Sequence, residues 1–291
     1  APLPNKPNQK WSWSEAREIV LTSFNELSPE IAKIASKFFE NNWIDAEIRN
    51  GKDSGAYSHP CVPDVHPYIL MNYNGKSRDV MTLAHELGHG VHQVLASKNG
   101  YLLADTPLTL AETASVFGEM LVFQKLLSKA DSKQEKNSMI AEKVEDMLNT
   151  VVRQIAFHNF ETSFHNKRKL NELTPDEISE IWMETQSQAL GDAINLDDSY
   201  KPLWSYIPHF VHTPFYVYAY AFGDCLVNSL WQVRLSGQSS FTESYLNLLK
   251  SGGKKHHKEA LAPFGLDASD PEFWNIGLNT ISSLIDELDA A

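Results

Sequence analysis

Leu83-Ala84-His85-Glu86-Leu87-Gly88-His89-Gly90-Val91-His92 is the stretch on which the reading of this chain turns. It contains the pattern H-E-x-x-H. Residues four apart share a helical face, so His85 and His89 can both reach one ion, with Glu86 beside them. Two neutral imidazoles suit a borderline-soft cation such as zinc, and a third protein ligand leaves one position open for water. Glu86 is then the natural base for that water. Three fixed letters also arise by chance, so the surroundings decide. Val80, Ala84, Leu87, Val91 and Val94 recur at three- and four-residue intervals as an apolar stripe, and His85, His89 and His92 lie along one side of it. Ser77 fits an N-cap, Asp79 suits the first turn and Gly100 follows the end. Together they predict a helix over roughly residues 78–98.

A second helix should supply the third ligand. Thr109-Leu110-Ala111-Glu112-Thr113-Ala114-Ser115-Val116-Phe117-Gly118-Glu119 offers two acids seven residues apart, hence on one face. Glu112 is assigned as the ligand. A capping box, Thr109-x-x-Glu112, competes with this, as does a helix that starts at Thr106-Pro107. An unpaired acid in so apolar a stretch is costly, and metal ligation satisfies it. Glu119 fits an acceptor for the free ring N–H of a ligand histidine, with a solvated helix acid as the alternative. His92 is grouped with Glu119 as support for the ligands.

The run His209-Phe210-Val211-His212-Thr213-Pro214-Phe215-Tyr216-Val217-Tyr218-Ala219-Tyr220-Ala221-Phe222-Gly223 is the other unusual segment. Pro214 can begin a helix in which Tyr216 and Tyr220 share a face and Tyr218 points elsewhere. Hydrolysis at a metal-bound carbonyl develops negative charge on oxygen, which phenol or imidazolium donors stabilise. His209, His212, Tyr216 and Tyr220 are candidates for that task and for gripping substrate backbone. An aromatic stripe inside a helical core is the competing explanation.

Bulk properties narrow the field. The chain has 291 residues, 42% hydrophobic and 11% aromatic, enough for one large domain or two small ones. Its net charge of −12, with both signs interspersed, gives no nucleic-acid-binding surface, although an acidic cleft would favour cationic peptides. Two cysteines, Cys61 and Cys225, make no disulfide framework. No run of about 18 apolar residues predicts a membrane span. The opening Ala1-Pro2-Leu3-Pro4-Asn5-Lys6-Pro7 has no targeting pattern, and a reducing cytoplasm is the default.

Helical spacing dominates the rest. Residues 14–49 read as two helices broken at Ser28-Pro29-Glu30, and Ser54–Tyr57 and Tyr68–Tyr73 read as short strands. Further helices are expected over about 107–129, 134–171, 175–190, 214–235, 240–251, 256–262 and 271–289. No linker separates independent domains. The expected fold is mainly α, a single domain over residues 1–291, with a small β-sheet preceding the H-E-x-x-H helix.

These residues resemble the catalytic half of the thimet oligopeptidase and oligoendopeptidase F family of zinc metallopeptidases, closer to the oligoendopeptidase F branch. The ordered set Gly55-Ala56-Tyr57, His85-Glu86-Leu87-Gly88-His89, Glu112-Thr113-Ala114-Ser115 and Pro214–Ala221 carries the resemblance. The Phe241–Leu288 tail, including Leu248-Leu249-Lys250-Ser251-Gly252-Gly253, adds to it. It implies a zincin-like helical catalytic domain with one Zn2+ per chain held by His85, His89 and Glu112. Glu86 would be general base and acid, and Glu119 would support the metal shell. His209 and Tyr220 correspond best to the residues that contact substrate and oxyanion, with His212, Tyr216 and Tyr218 still open for substrate contact. The segment Gly55-Ala56-Tyr57 would form a β edge along which an extended peptide pairs. Family members are longer, with an N-terminal helical half that this chain does not show. The expected function is zinc-dependent hydrolysis of internal bonds in short peptides. Its rivals are a carboxypeptidase-type exopeptidase and a peptide-binding fragment inactive without the missing half.

Overall fold

A computed structural model describes residues 10–290, so the Pro-rich opening lies outside the described residues. The helices start where local chemistry favours them. Ser12 and Glu15 form a capping box ahead of α1 (Trp13–Leu27), and Ser28 caps α2 (Pro29–Glu40), with Pro29 in the first turn. The chain then makes three short strands: β1 (Ile44–Asp45), β2 (Tyr57–His59) and β3 (Tyr68–Leu70). Their order is β1-β3-β2, with β1 parallel and β2 antiparallel to β3. The sequence pattern placed helix through residue 49. Instead the chain turns at Asn42, at a φ of 58°, and Ile44 enters the sheet. The predicted strand at Ser54–Tyr57 begins only at Tyr57, because Asp53 accepts the Gly55 N–H in a tight turn.

The helix α3 (Ser77–Ala96) carries the H-E-x-x-H pattern. Its start is capped differently from the expectation. Ser77 is already helical, and Asp79 reaches back to accept the N–H groups of Asn74 at 2.7 Å and Lys76 at 3.0 Å. Next come α4 (Leu108–Ala111) and α5 (Ser115–Lys129). The single helix expected over 107–129 is therefore broken at residues 112–114. Further along lie α6 (Lys133–Leu148) and α7 (Gln154–Arg168), joined by one π turn, then α8 (Pro175–Leu190) behind a Thr174–Glu177 capping box. A short α9 (His209–His212) precedes α10 (Tyr218–Leu235), and α11 (Phe241–Ser251), α12 (His257–Leu261) and α13 (Pro271–Asp289) complete the chain. Pro214 does not begin a helix. Phe215 sits at a φ of 63°, and helical structure resumes at Tyr218.

The described residues form two compact units, with α6 and α10 passing from one to the other. The first runs through Glu142 and resumes at Cys225. Its core gathers Phe24, Phe38, Leu83, Leu87, Phe117 and Tyr245, all at most 2% exposed. The second, Lys143–Asp224, packs Phe157, Phe160, Ile181, Trp182, Ile207 and Val217 into a core of its own. Trp182 is held there by donating its ring N–H to the carbonyl of Tyr200 at 3.1 Å.

In the first unit, α3 crosses α5 at very close range, and two glycines permit it. A Cβ on Gly88 would fall 2.7 Å from the Ser115 Cα. A Cβ on Gly118 would fall 3.0 Å from the Ala84 carbonyl oxygen. The approach leaves the break at residues 112–114 with backbone groups to satisfy. Tyr245 of α11 donates its hydroxyl to the carbonyl of Thr113 at 3.0 Å, and the Val116 N–H donates to the carbonyl of Glu112 at 3.1 Å.

Candidate metal centre

The break presents Glu112 to α3. Its Oε2 lies 3.5 Å from His85 Nε2 and 3.4 Å from His89 Nε2, and the two imidazole nitrogens are 3.1 Å apart. One donor atom from each residue thus converges on a common point. The Ser115 hydroxyl donates to Glu112 Oε2 at 2.6 Å and holds the carboxylate in this orientation. Glu112 forms no capping box with Thr109: it closes α4 instead of opening a helix.

His85 bonds through Nδ1 to Glu119 Oε1, which fixes the ring and leaves Nε2 facing His89 and Glu112. Glu119 reaches this place from the second turn of α5, past the break, so the two acids do not share one straight helical face. His92 is buried elsewhere along α3. Its Nε2 meets Thr106 Oγ1 at 3.2 Å and its ring also bonds the backbone of Ala111. It therefore braces both ends of α4, the element that delivers Glu112.

The electrostatics are those of a site short of positive charge. Burial disfavours a charged His85, but the bond and charge of Glu119, with Glu112 and Glu86 nearby, outweigh it and lift the imidazole to about 9. Burial alone would raise Glu112. The His89 bond, the two imidazoles and the Ser115 hydroxyl instead hold it down at about 2. Burial pushes the Glu86 carboxyl up, against the pull of His85 and His89. Glu86 is 4% exposed, and its Oε2 has no hydrogen-bond partner. Burial keeps His92 neutral, its imidazole pushed down to about 3. Two imidazole nitrogens and a carboxylate oxygen form a donor set suited to zinc, and an orphaned carboxylate oxygen beside them fits a water-activating base. The residues present fit a divalent cation.

The other sequence candidates lie in the second unit or at the sheet. His209 Nε2 is 3.2 Å from the Tyr220 hydroxyl, and Tyr216 stacks on His209 and packs edge-on to Tyr220. His209, Tyr216 and Tyr220 thus form one cluster. Tyr218 turns away toward His158, and His212 is exposed. Tyr57 opens β2, the edge strand of the described sheet, whose Ser58 carbonyl accepts from the Gln93 side chain at 3.1 Å, while Gly55 and Ala56 precede the strand. Sequence reasoning missed Ser115, Thr106 and Tyr245. Ser115 stood inside the quoted Glu112–Ser115 segment, but Tyr245 gave no signal, because its role depends on a contact 132 residues away.

The model of the family described as Peptidase family M3 matches residues 23–280. The chain belongs to peptidase family M3. Among its M3 relatives, the oligopeptidase PepF of Bacillus subtilis (strain 168) is 30% identical over 290 residues, covering 99% of this chain and 43% of that protein. The chromosomal oligoendopeptidase F of Lactococcus lactis subsp. cremoris is 28% identical, covering 99% and 48%. The chain thus spans under half the length of these curated relatives. A Chlamydophila abortus crystal structure matches with a TM-score of 0.82 and 33% identity, over 97% of this chain and 48% of that one. The oligoendopeptidase-F structure from Enterococcus faecium, at 21% identity and a TM-score of 0.66 over 96% and 44%, shares the fold. Mainly helical architecture with a small sheet before the H-E-x-G-H helix is therefore the M3 arrangement in this chain, as its sequence suggested.

Proposed function

We propose that this chain is a zinc-dependent endopeptidase acting on internal bonds of short peptides, and that it is a single metallopeptidase catalytic domain. The observation that carries the reading is the convergence of His85, His89 and Glu112 beside the unpartnered oxygen of Glu86. When bound, one divalent cation at the three donors supplies Lewis-acid polarisation of a peptide carbonyl and acidifies a water. His85 is held to this task by Glu119, and Glu112 by Ser115. Glu86 accepts the water proton on its carboxylate and later returns it to the leaving amine, a role that a carboxyl raised by burial suits. His209 and Tyr220, bonded to each other, are our choice for donors to the developing oxyanion. Gly55, Ala56 and Tyr57 are our choice for the strand edge along which peptide pairs, with His212, Tyr216 and Tyr218 as further substrate contacts. Two free cysteines accord with a reducing cytoplasm, and among the described residues no helix is long and apolar enough to cross a membrane.

The test is cleavage of a short peptide blocked at both termini by zinc-loaded chain. Internal cleavage that disappears in Glu86→Gln supports the endopeptidase reading, and cleavage only of unblocked peptides would make it an exopeptidase. The short span relative to the M3 relatives favours one second reading, a peptide-binding segment that needs further sequence for turnover. That reading predicts zinc and peptide affinity with no cleavage by the chain alone.

A further inference from the structure

A cavity of about 320 Å3 opens beside His89. One wall is the proline-rich loop that leaves β2, with Pro60, Val62 and Val65. Tyr101 and Asp105 also line it. Asp105 is the only carboxylate among the lining residues, and no lysine or arginine lines it. We propose that this cavity receives one side chain of the bound peptide and that Asp105 makes it select a basic residue, arginine or lysine. The proposal rests on the peptidase reading above and gives that site its substrate preference.

Three observations support it. The wall follows directly on β2, whose Ser58 is tied through its hydroxyl and its carbonyl to the cavity-lining Gln93 at 2.8 and 3.1 Å, so a peptide laid beside β2 passes the cavity. The apolar loop matches a methylene stem, while exposed Asp105 offers a carboxylate to the charged end. The Asp105 wall is also built to stay in place. Gly253 donates its N–H to the carbonyl of Leu103 at 2.9 Å, and a Cβ on Gly253 would fall 2.9 Å from the Asp105 carbonyl oxygen. The Gly252-Gly253 pair thereby seats the segment that holds Asp105. An acidic side chain would meet an unpaired like charge there, so selection has a repulsive arm as well.

Cys61 supplies a reporter that does not depend on turnover. It is exposed and lines the cavity, whereas Cys225 is buried. Alkylation of Cys61 by iodoacetamide is measured on the full zinc-loaded chain with blocked glycine peptides that carry one central arginine or one central glutamate. The arginine peptide should slow alkylation about two- to fivefold more than the glutamate peptide, the scale of an exposed ion pair. Asp105→Asn should remove that difference. Equal protection, no protection, or a difference that survives Asp105→Asn would overturn the proposal. Cleavage of the same peptides is followed in parallel. Charge-dependent protection without cleavage keeps the pocket and refutes the peptidase reading. Cleavage without charge-dependent protection keeps the peptidase and refutes the pocket.

Discussion

Gly88 lies so close to Ser115 that a single Cβ would reach within 2.7 Å of the Ser115 Cα. The glycine of H-E-L-G-H is therefore a packing residue: it lets the break after α4 settle against α3 and present Glu112 to His85 and His89. Gly88→Ala should cost about 1–3 kcal/mol, as overpacking against rigid backbone does, and should weaken zinc as Glu112 is displaced. Thermal unfolding and chelator competition measure the two effects. A variant with lowered stability but unchanged zinc affinity would separate the crossing from the ligand set.

His92 predicts a pH dependence of stability. Its folded imidazole is held at about 3 by burial, well below the unfolded value of 6.5. Between those values the unfolded chain binds the proton more readily, so stability is fully present above 6.5 and declines as pH falls toward 3. The slope from this one group is at most about 1.4 kcal/mol per pH unit. Urea midpoints of chelator-treated protein at pH 7, 6 and 5 should fall more steeply for wild type than for His92→Gln. Parallel curves would show that His92 is not the titrating group.

Glu161 should matter to the Tyr- and His-rich segment. It is 1% exposed, and its Oε1 accepts the N–H of Phe215 at 2.8 Å, where the backbone is left-handed. Glu161→Leu removes the acceptor from a buried donor and should destabilise by about 1–3 kcal/mol, while Glu161→Gln retains an acceptor and should cost less. Amide exchange at Phe215 gives the local readout. Equal behaviour of the two variants would mean that the bond does not hold this turn.

The extents of α3, α8 and α13 could be read closely because helical apolar spacing is a local signal, although Asp79 and not Ser77 secures the start of α3. The pairing of His85 with His89 was legible for the same reason, since residues four apart on a helix share a face. Glu112 could be chosen by chemistry, but the break that delivers it could not be read. Residues 112–114 leave the helix because Gly88 admits them and Tyr245 satisfies Thr113, both through contacts distant in sequence. Pro214 looked like a helix start, yet a bond from Phe215 to Glu161, 54 residues earlier, defers the helix to Tyr218. The strand at Ile44 was hidden by apolar residues that suit helix and sheet alike, and its partner Ile69 decides the matter.

Metal stoichiometry tests the central claim most directly. Zinc content and affinity are measured by elemental analysis and chelator competition on the wild-type chain, Glu112→Ala and Glu86→Gln. We expect one zinc per wild-type chain, substantial loss in Glu112→Ala, and retention in Glu86→Gln, whose side chain serves the water and not the ion. Unchanged zinc in Glu112→Ala would contradict the assignment of His85, His89 and Glu112 as one metal centre.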